Sequence, residues 1–290
     1  MEESVTKLSI AIRLKDDFTE AEPIGNVTVS IKGLEKEPFK NLNGYHIFTD
    51  LPRELHEVKV AAKSDFYLER DTDRLIAWIP DNPVVEEITL KPHCAYPFPV
   101  GSTLLRAVVR KEPDPALPNQ DPFHQAIPKA SVKAIVFLPE SITTATARVG
   151  QGGAAKGTKI IHLESFTTGM LLNVGDVLMI EEPNTDKMEF CQIVAPLPKD
   201  PSLDPYNLED RLKFDHSTGT PLFLMKDQNE ELATRTDEKG EMVMYFKRNK
   251  ASKFLIQVTI SKEGYQDKKL DKVEISEGTT KSLGVIELSQ

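Results

Sequence analysis

Residues 236–246 and 254–276 read TDEKGEMVMYF and FLIQVTISKEGYQDKKLDKVEIS. In the second segment Phe254, Ile256, Val258 and Ile260 occupy alternate positions, with Gln257 and Thr259 between the last three and Ser261 after them. A period of two places one set on a buried face and the other towards water, which is the pattern of a half-buried strand. The first segment opens on a polar turn with Gly240, where a hairpin needs a residue tolerant of positive φ. Together they predict paired antiparallel strands.

The same alternation recurs at both ends of the chain and through its middle, in KLSIAIRL, NVTVSIKG, HEVKVAAK, VVEEITLK, TLLRAVVR, SVKAIVFL, DVLMIEE, FCQIVA and LGVIELS. Twenty prolines lie largely between these stretches and exclude long helices. The best helical candidate, NLEDRLKF (207–214), is about two turns long. Trp78, the single tryptophan, sits among aliphatic residues in LIAWIP and reads as a core or edge contact. The fold class expected is mainly β.

An internal duplication organises these strands. The first copy runs PIGNVTVSIKG, NLNGYHIFTDL, HEVKVAAKSDFYLER and NPVVEEITLKP; the second runs IPKASVKAIVF, TDEKGEMVMYF, the 254–276 segment and TTKSLGVIELSQ. Each copy has a strand introduced by proline, a turn glycine (Gly44, Gly240) and a tyrosine after a V-x-V or V-x-I strand (Tyr67, Tyr265). These tyrosines are expected to cap a core edge with the hydroxyl wet. Between the first and second segments of copy two lies a long stretch with strand signals of its own. The organisation expected is therefore an immunoglobulin-like β-sandwich over 1–92, a Tyr-Pro-Phe-Pro linker over 93–100, and a second sandwich from 101–139 and 222–290. A small β module is inserted at 140–221, since exposed turns tolerate added sequence.

At the start of this insert stands GQGGAAKGTK (150–159), whose glycines and lysines suggest a phosphate loop. The order Lys156-Gly157-Thr158 inverts the glycine-lysine sequence of that loop, and the β-branched segment that follows is not a helix opening. The stretch is expected to be a flexible hinge, or a segment that orders when a neighbouring subunit docks. In the linker, Tyr96, Pro97, Phe98 and Pro99 make a stiff extended spacer whose rings can pack on both neighbours.

The chain has 290 residues, 39% hydrophobic and 28% charged, which suits a folded protein with several domains. A net charge of −9 argues against nucleic acid as a partner, and the basic FKRNK (246–250) reads as a hairpin tip. The N-terminus lacks the basic and apolar regions of a signal peptide, and no apolar run reaches membrane-spanning length. A cytoplasmic location without membrane insertion is expected. Two distant cysteines, Cys94 and Cys191, read as buried thiols in a reducing compartment.

Catalytic, cofactor and metal residues are not expected. The six histidines show no zinc-site spacing, and His93 and Cys94 are adjacent, so in an extended chain they point to opposite sides. Asp215, His216 and Ser217 are too close in sequence to make a triad, whose members converge from different elements. They read as a turn capped by Asp or Ser, with Gly219 in the left-handed region. No G-x-S-x-G elbow is present. KDPSLDPYNLED (199–210) lacks the calcium-loop pattern but leaves a looser calcium site open.

The T-D-x-x-G turn and the trailing V-x-I-S-K-x-G-Y at 236–265 resemble the carboxypeptidase-regulatory-like or transthyretin-like group of immunoglobulin-like sandwiches, which are structural or binding modules. The first copy departs from that pattern at Asn41-Leu42-Asn43-Gly44. Residues 82–109, and 174–194 with 212–223, are similar to accessory proteins encoded with phage-tail-like contractile injection systems. The resemblance implies a non-enzymatic structural or adaptor protein, an accessory or cap-adaptor component of such a particle. It also implies structural-protein partners and a homo-oligomer, with six-fold symmetry borrowed from the same kinship. The structural or interface residues expected are Tyr96, Pro97, Phe98, Pro99, Gly240, Tyr265, His216 and Gly219. The alternatives are a cell-surface or extracellular stalk of adhesin type, and a carbohydrate-binding module, which would need an aromatic strip that singly spread aromatics do not make.

Overall fold

Alternating apolar residues become strands throughout the computed structural model, which describes residues 7–71, 76–77, 82–113, 125–141, 143–168, 170–183, 185, 187–201, 203–247 and 251–290. Trp78, His124 and most of the basic tip (248–250) lie outside the described residues. The protein is all-β, built of tandem immunoglobulin-like sandwiches. Among the described residues no helix is long and apolar enough to cross a membrane.

The first sandwich contains β1 (Leu8–Asp16), β2 (Thr28–Ile31), β3 (Phe39–Lys40), β4 (Tyr45–Thr49), β5 (Glu57–Val58), β6 (Val60–Lys63), β7 (Arg70–Asp71), β8 (Ile76–Ala77) and β9 (Val84–Leu90). One sheet runs β3-β4-β1-β9, and facing strands run β2-β6-β7. The alternate positions of β2 and β4 are buried, as a period of two requires. Their buried residues meet Ile10, Ile12, Val60 and Leu90 in one core.

The second sandwich repeats this wiring. Its strands are β10 (Thr103–Lys111) and β11 (Ser131–Pro139), then, beyond the insert, β18 (Pro221–Arg235), β19 (Glu241–Phe246), β20 (Lys253–Ser261), β21 (Lys268–Ser276) and β22 (Thr280–Leu288). In copy one β1 pairs antiparallel with β4 and parallel with β9; in copy two β10 pairs antiparallel with β19 and parallel with β22. Likewise β2-β6-β7 corresponds to β11-β20-β21. The turns agree atom for atom. Asn41 Oδ1 accepts from the N–H groups of Asn43 and Tyr45, and Asp237 Oδ1 from those of Lys239 and Glu241. The Asn at the first turn thus makes the same two bonds as the Asp at the second, because both side chains offer a carbonyl-type acceptor at the same distance from the backbone.

Between β11 and β18 lie β12 (Ala147–Val149), β13 (Ile160–Ile161), β14 (Leu163–Glu164), β15 (Val177–Glu181), β16 (Met188–Val194) and β17 (Tyr206–Leu208). NLEDRLKF is not helical. Its start belongs to β17, where Tyr206 and Leu208 alternate into the core of this region. The attachment is a shared strand. β18 is 15 residues long; its first residues pair with β12 and β15 and the rest with β11. Leu222 and Leu224 enter the core around Leu178 and Ile193, while Phe223 and Met225 point to the opposite face and pack with Phe137 of β11.

GQGGAAKGTK, expected to be a flexible hinge, is instead held down. Ala154 and His216 exchange both backbone hydrogen bonds, at 2.9 and 2.8 Å, and Gly150 N–H donates to His162 O. Gly153 (φ +73°) lies so close to the chain at His216 that a Cβ would sit 2.7 Å from His216 O. The glycine richness therefore serves close backbone packing.

Gly240 is the more demanding of the two equivalent turn glycines. At φ +74° an added Cβ would fall 2.4 Å from Val109 O, whereas at Gly44 (φ +80°) it meets only the flexible Glu22 side chain, at 3.2 Å. Gly240→Ala should destabilise by about 3 kcal/mol or more, combining left-handed strain with an unrelieved backbone clash. Gly44→Ala should cost about 1 to 2 kcal/mol, from strain alone. Chemical denaturation of both variants checks the order.

Candidate functional site

Asp16, at the end of β1, is completely buried. A buried carboxylate persists only where hydrogen bonds replace its water shell. Here Oδ2 accepts the hydroxyls of Tyr67 (2.7 Å) and Tyr96 (2.6 Å), and Oδ1 accepts the N–H groups of Phe18 (2.7 Å) and Thr19 (3.1 Å). Tyr67 Oη also accepts from Ile24 N–H. The wet hydroxyl expected for Tyr67 is thus corrected, because the turn after β1 aims a carboxylate at it. Burial, and then the bond to Asp16, push the phenols of Tyr67 and Tyr96 well above the ordinary tyrosine range.

The bond to Asp16 also shapes the linker. Tyr96 is drawn into the first core, and the chain turns at 93–96, where Tyr96 N–H donates to His93 O; Phe98 N–H then donates to Tyr96 O. The expected extended spacer is therefore folded back on the first sandwich. Pro97 and Pro99 are exposed, Pro99 O accepting from both the N–H and the hydroxyl of Ser102. Phe98 stacks against Tyr96 (ring centroids 4.7 Å), Phe18 (5.2 Å) and, across the boundary, Tyr245 of β19 (6.1 Å). Phe18 meets Tyr245 edge-on at 5.2 Å. Such pairs contribute about 0.5 to 1.5 kcal/mol each beyond the area they bury. Burial, then a hydrogen bond to Asp17, raise the Tyr245 phenol as well.

Polar contacts extend this joint. His93 Nδ1 accepts from Ala95 N–H, which leaves Nε2–H to donate to Asp237 Oδ2 at 2.9 Å. Lys91 Nζ donates to Ala233 O of β18, and Lys247 pairs with Glu20. The Lys247–Glu20 pair is exposed and adds little. A cleft of about 820 Å³ lies beside the joint, lined by Phe18, Gly101, Thr103, Lys247 and Glu277 among others. Gly240 stands one turn from Asp237, on the second-sandwich side. Tyr265 is partly buried and packs against the second core.

A second polar cluster sits inside the insert. The His216 side chain is fully buried, with Nε2 2.7 Å from Glu189 Oε1 and Nδ1 3.6 Å from Glu182 Oε2. Glu189 also accepts the N–H groups of Lys213 and Phe214, and Ser217 Oγ donates to Glu182. Asp215 instead accepts from Lys156 N–H, apart from the two glutamates that His216 and Ser217 meet. Gly219, at φ +83°, closes the turn. Burial works against the Glu189 carboxylate, but its bonds to His216 and the two N–H groups outweigh burial and hold it below the usual range. Sequence spacing could not reveal this pair, since the residues stand 27 positions apart, Glu189 on β16 and His216 in the loop before β18. Cys191 is buried as expected, with its thiol pushed up to about 12 by burial and Glu189, while Cys94 is only partly buried.

The sheets define an immunoglobulin-like β-sandwich protein in tandem form. No protein-family model matches the chain, and no curated protein does. Among solved structures it is similar to the Bacillus anthracis TIE protein (11% identity, 97% of this chain, TM-score 0.24), and it spans about half (51%) of that chain. It is also similar to the shaft pilin SpaA from Lactobacillus rhamnosus GG (8% identity, 98% of this chain and 99% of that one, TM-score 0.21). A streptococcal ancillary pilin gives 9% identity, 99% coverage of both chains and a TM-score of 0.18.

Two expectations follow from the clusters. Asp16→Ala leaves two buried phenols without their acceptor and should destabilise by about 2 to 6 kcal/mol, at about 1 to 3 for each unsatisfied group. Because the tyrosine values are raised on folding, their contribution is intact below about pH 10, where an unfolded tyrosine ionises, and is lost as pH rises through the folded values. Alkaline denaturation followed by phenolate absorbance should show Tyr67, Tyr96 and Tyr245 ionising with unfolding, and at lower pH in Asp16→Ala. In the insert, Glu189→Ala leaves His216 buried beside two unpaired N–H groups and should cost about 3 to 5 kcal/mol. The Glu189 value is lowered, so its contribution holds above about pH 4.3 and fades as pH falls through the folded value. Hydrogen exchange should show the loss in β12–β17 before the first sandwich responds.

Proposed function

We propose that this protein is a non-enzymatic structural adaptor that presents its loops and sheet edges to protein partners in a fixed geometry. The observation that carries the reading is the joint. A fully buried carboxylate, two phenols and a ring cluster shared between sandwiches serve orientation, since each group is spent on another group of the same chain. The shared strand β18 supports it further, coupling the insert to the second sandwich by backbone pairing on both sides. We take 1–92, the 93–100 linker, 101–139 with 222–290, and 140–221 as the working modules of this adaptor. Edge strands β9 and β22, each paired on one side only among the described residues, are the surfaces where a partner strand would add.

The particular placement proposed is an accessory or cap-adaptor component of a phage-tail-like contractile injection particle, in several copies and assembled in the cytoplasm. It is supported by the resemblance of residues 82–109, 174–194 and 212–223 to accessory proteins of such systems. Two of these stretches contain the structurally committed residues Tyr96, Phe98 and His216.

Fractionation of a native lysate by ultracentrifugation, with mass spectrometry of the pellet, tests the placement. The chain is expected to pellet with tube and sheath proteins at a few copies per particle. Particles that pellet without it, with the chain left soluble or at the cell surface, would remove the placement and favour a surface stalk.

A further inference from the structure

We propose that the joint holds one divalent metal ion of the zinc class, ligated by the Cys94 thiolate and the carboxylates of Asp237 and Glu241. The site goes beyond fixed display, and it stands or falls without regard to whether the chain belongs to a particle.

The donor atoms of these three residues lie within 4.8 Å of one another. With metal–sulfur bonds of about 2.3 Å and metal–oxygen bonds of about 2.0 to 2.2 Å, one ion reaches all three after small side-chain adjustments. They come from two places far apart in sequence: Cys94 from the linker after β9, and Asp237 and Glu241 from the turn before β19 and that strand's first residue. Convergence of mixed sulfur and oxygen donors across a module boundary is what a structural cross-link requires. A thiolate selects zinc-like ions over calcium or magnesium.

Two features besides proximity support the site. A cleft of about 430 Å³ reaches the three donors and supplies both an access path and room for a water as fourth ligand. His93 donates Nε2–H to Asp237 Oδ2, its tautomer set by Ala95 N–H at Nδ1. That is the outer-sphere arrangement that orients a ligating carboxylate. Arg106, which also lines the cleft, donates to Cys94 O and lies 6.0 Å from the Phe98 ring centre. On binding, the Cys94 proton leaves to solvent as the sulfur–metal bond forms, so affinity rises with pH.

Titration of the full-length, chelator-treated protein with cobalt(II), read by thiolate-to-cobalt charge-transfer absorption, tests this directly. One equivalent is expected to give the band, and zinc should displace it. Cys94→Ser should abolish the band and Cys191→Ser should retain it. Glu241→Gln should weaken binding by about tenfold or more and His93→Ala by about 10- to 100-fold. Circular dichroism of each variant separates lost ligation from lost folding. Absence of the band in the folded wild-type protein, or its survival in folded Cys94→Ser, overturns the proposal.

Discussion

The Asp16 carboxylate is the constraint on which the arrangement of the first sandwich and the linker turns. It has no exposure, so its charge is tolerable only while four donors surround it. Two of those donors are phenols from separate stretches of chain: Tyr67 follows β6, and Tyr96 follows β9 in the linker. Satisfying one group thus fixes the turn after β1, the course of the chain after β6 and the exit of the linker. Phe98 is two residues beyond Tyr96, and its position against Phe18 and Tyr245 follows from where Tyr96 is held.

From there the order passes through the second sandwich to the insert without a flexible link among the described residues. Tyr245 belongs to β19, the strand that leaves the Gly240 turn, and Asp237 of that turn accepts from His93 of the linker. β18 runs up to the same turn and carries the pairing onward to β12 and β15. Because alternate side chains of β18 serve two different packing faces, a tilt of the insert would disturb both. An insertion at an exposed turn would swing; an insertion that lends its strand to the host sheet does not.

Several features were legible because they depend on local rules. The strand pattern follows from side-chain alternation, which β2, β4, β11 and β16 keep in their burial. The turn glycines follow from positive φ, which Gly44 and Gly240 both adopt. The duplicated segments follow from repeated order, and the strands they form pair in the same arrangement in both halves. NLEDRLKF misled because an apolar spacing over two turns also fits a short strand followed by a bend, and Tyr206 and Leu208 find a core on alternate positions. GQGGAAKGTK misled because composition reports backbone freedom, and only neighbours reveal whether that freedom is used for motion or for close approach.

The sequence by itself determined the β class, the repeated segments and the lack of a phosphate-loop order around Lys156. These rest on interactions between residues a few positions apart, which a linear pattern records. Tertiary structure alone decided that Asp16 joins Tyr67 to Tyr96, that Glu189 meets His216, that β18 is shared, and that Cys94 stands with Asp237 and Glu241. Each of these brings together groups separated by many residues, and buried polar atoms choose such partners by geometry once the backbone has folded. That selection is made by desolvation, which acts only where the chain has closed around the group.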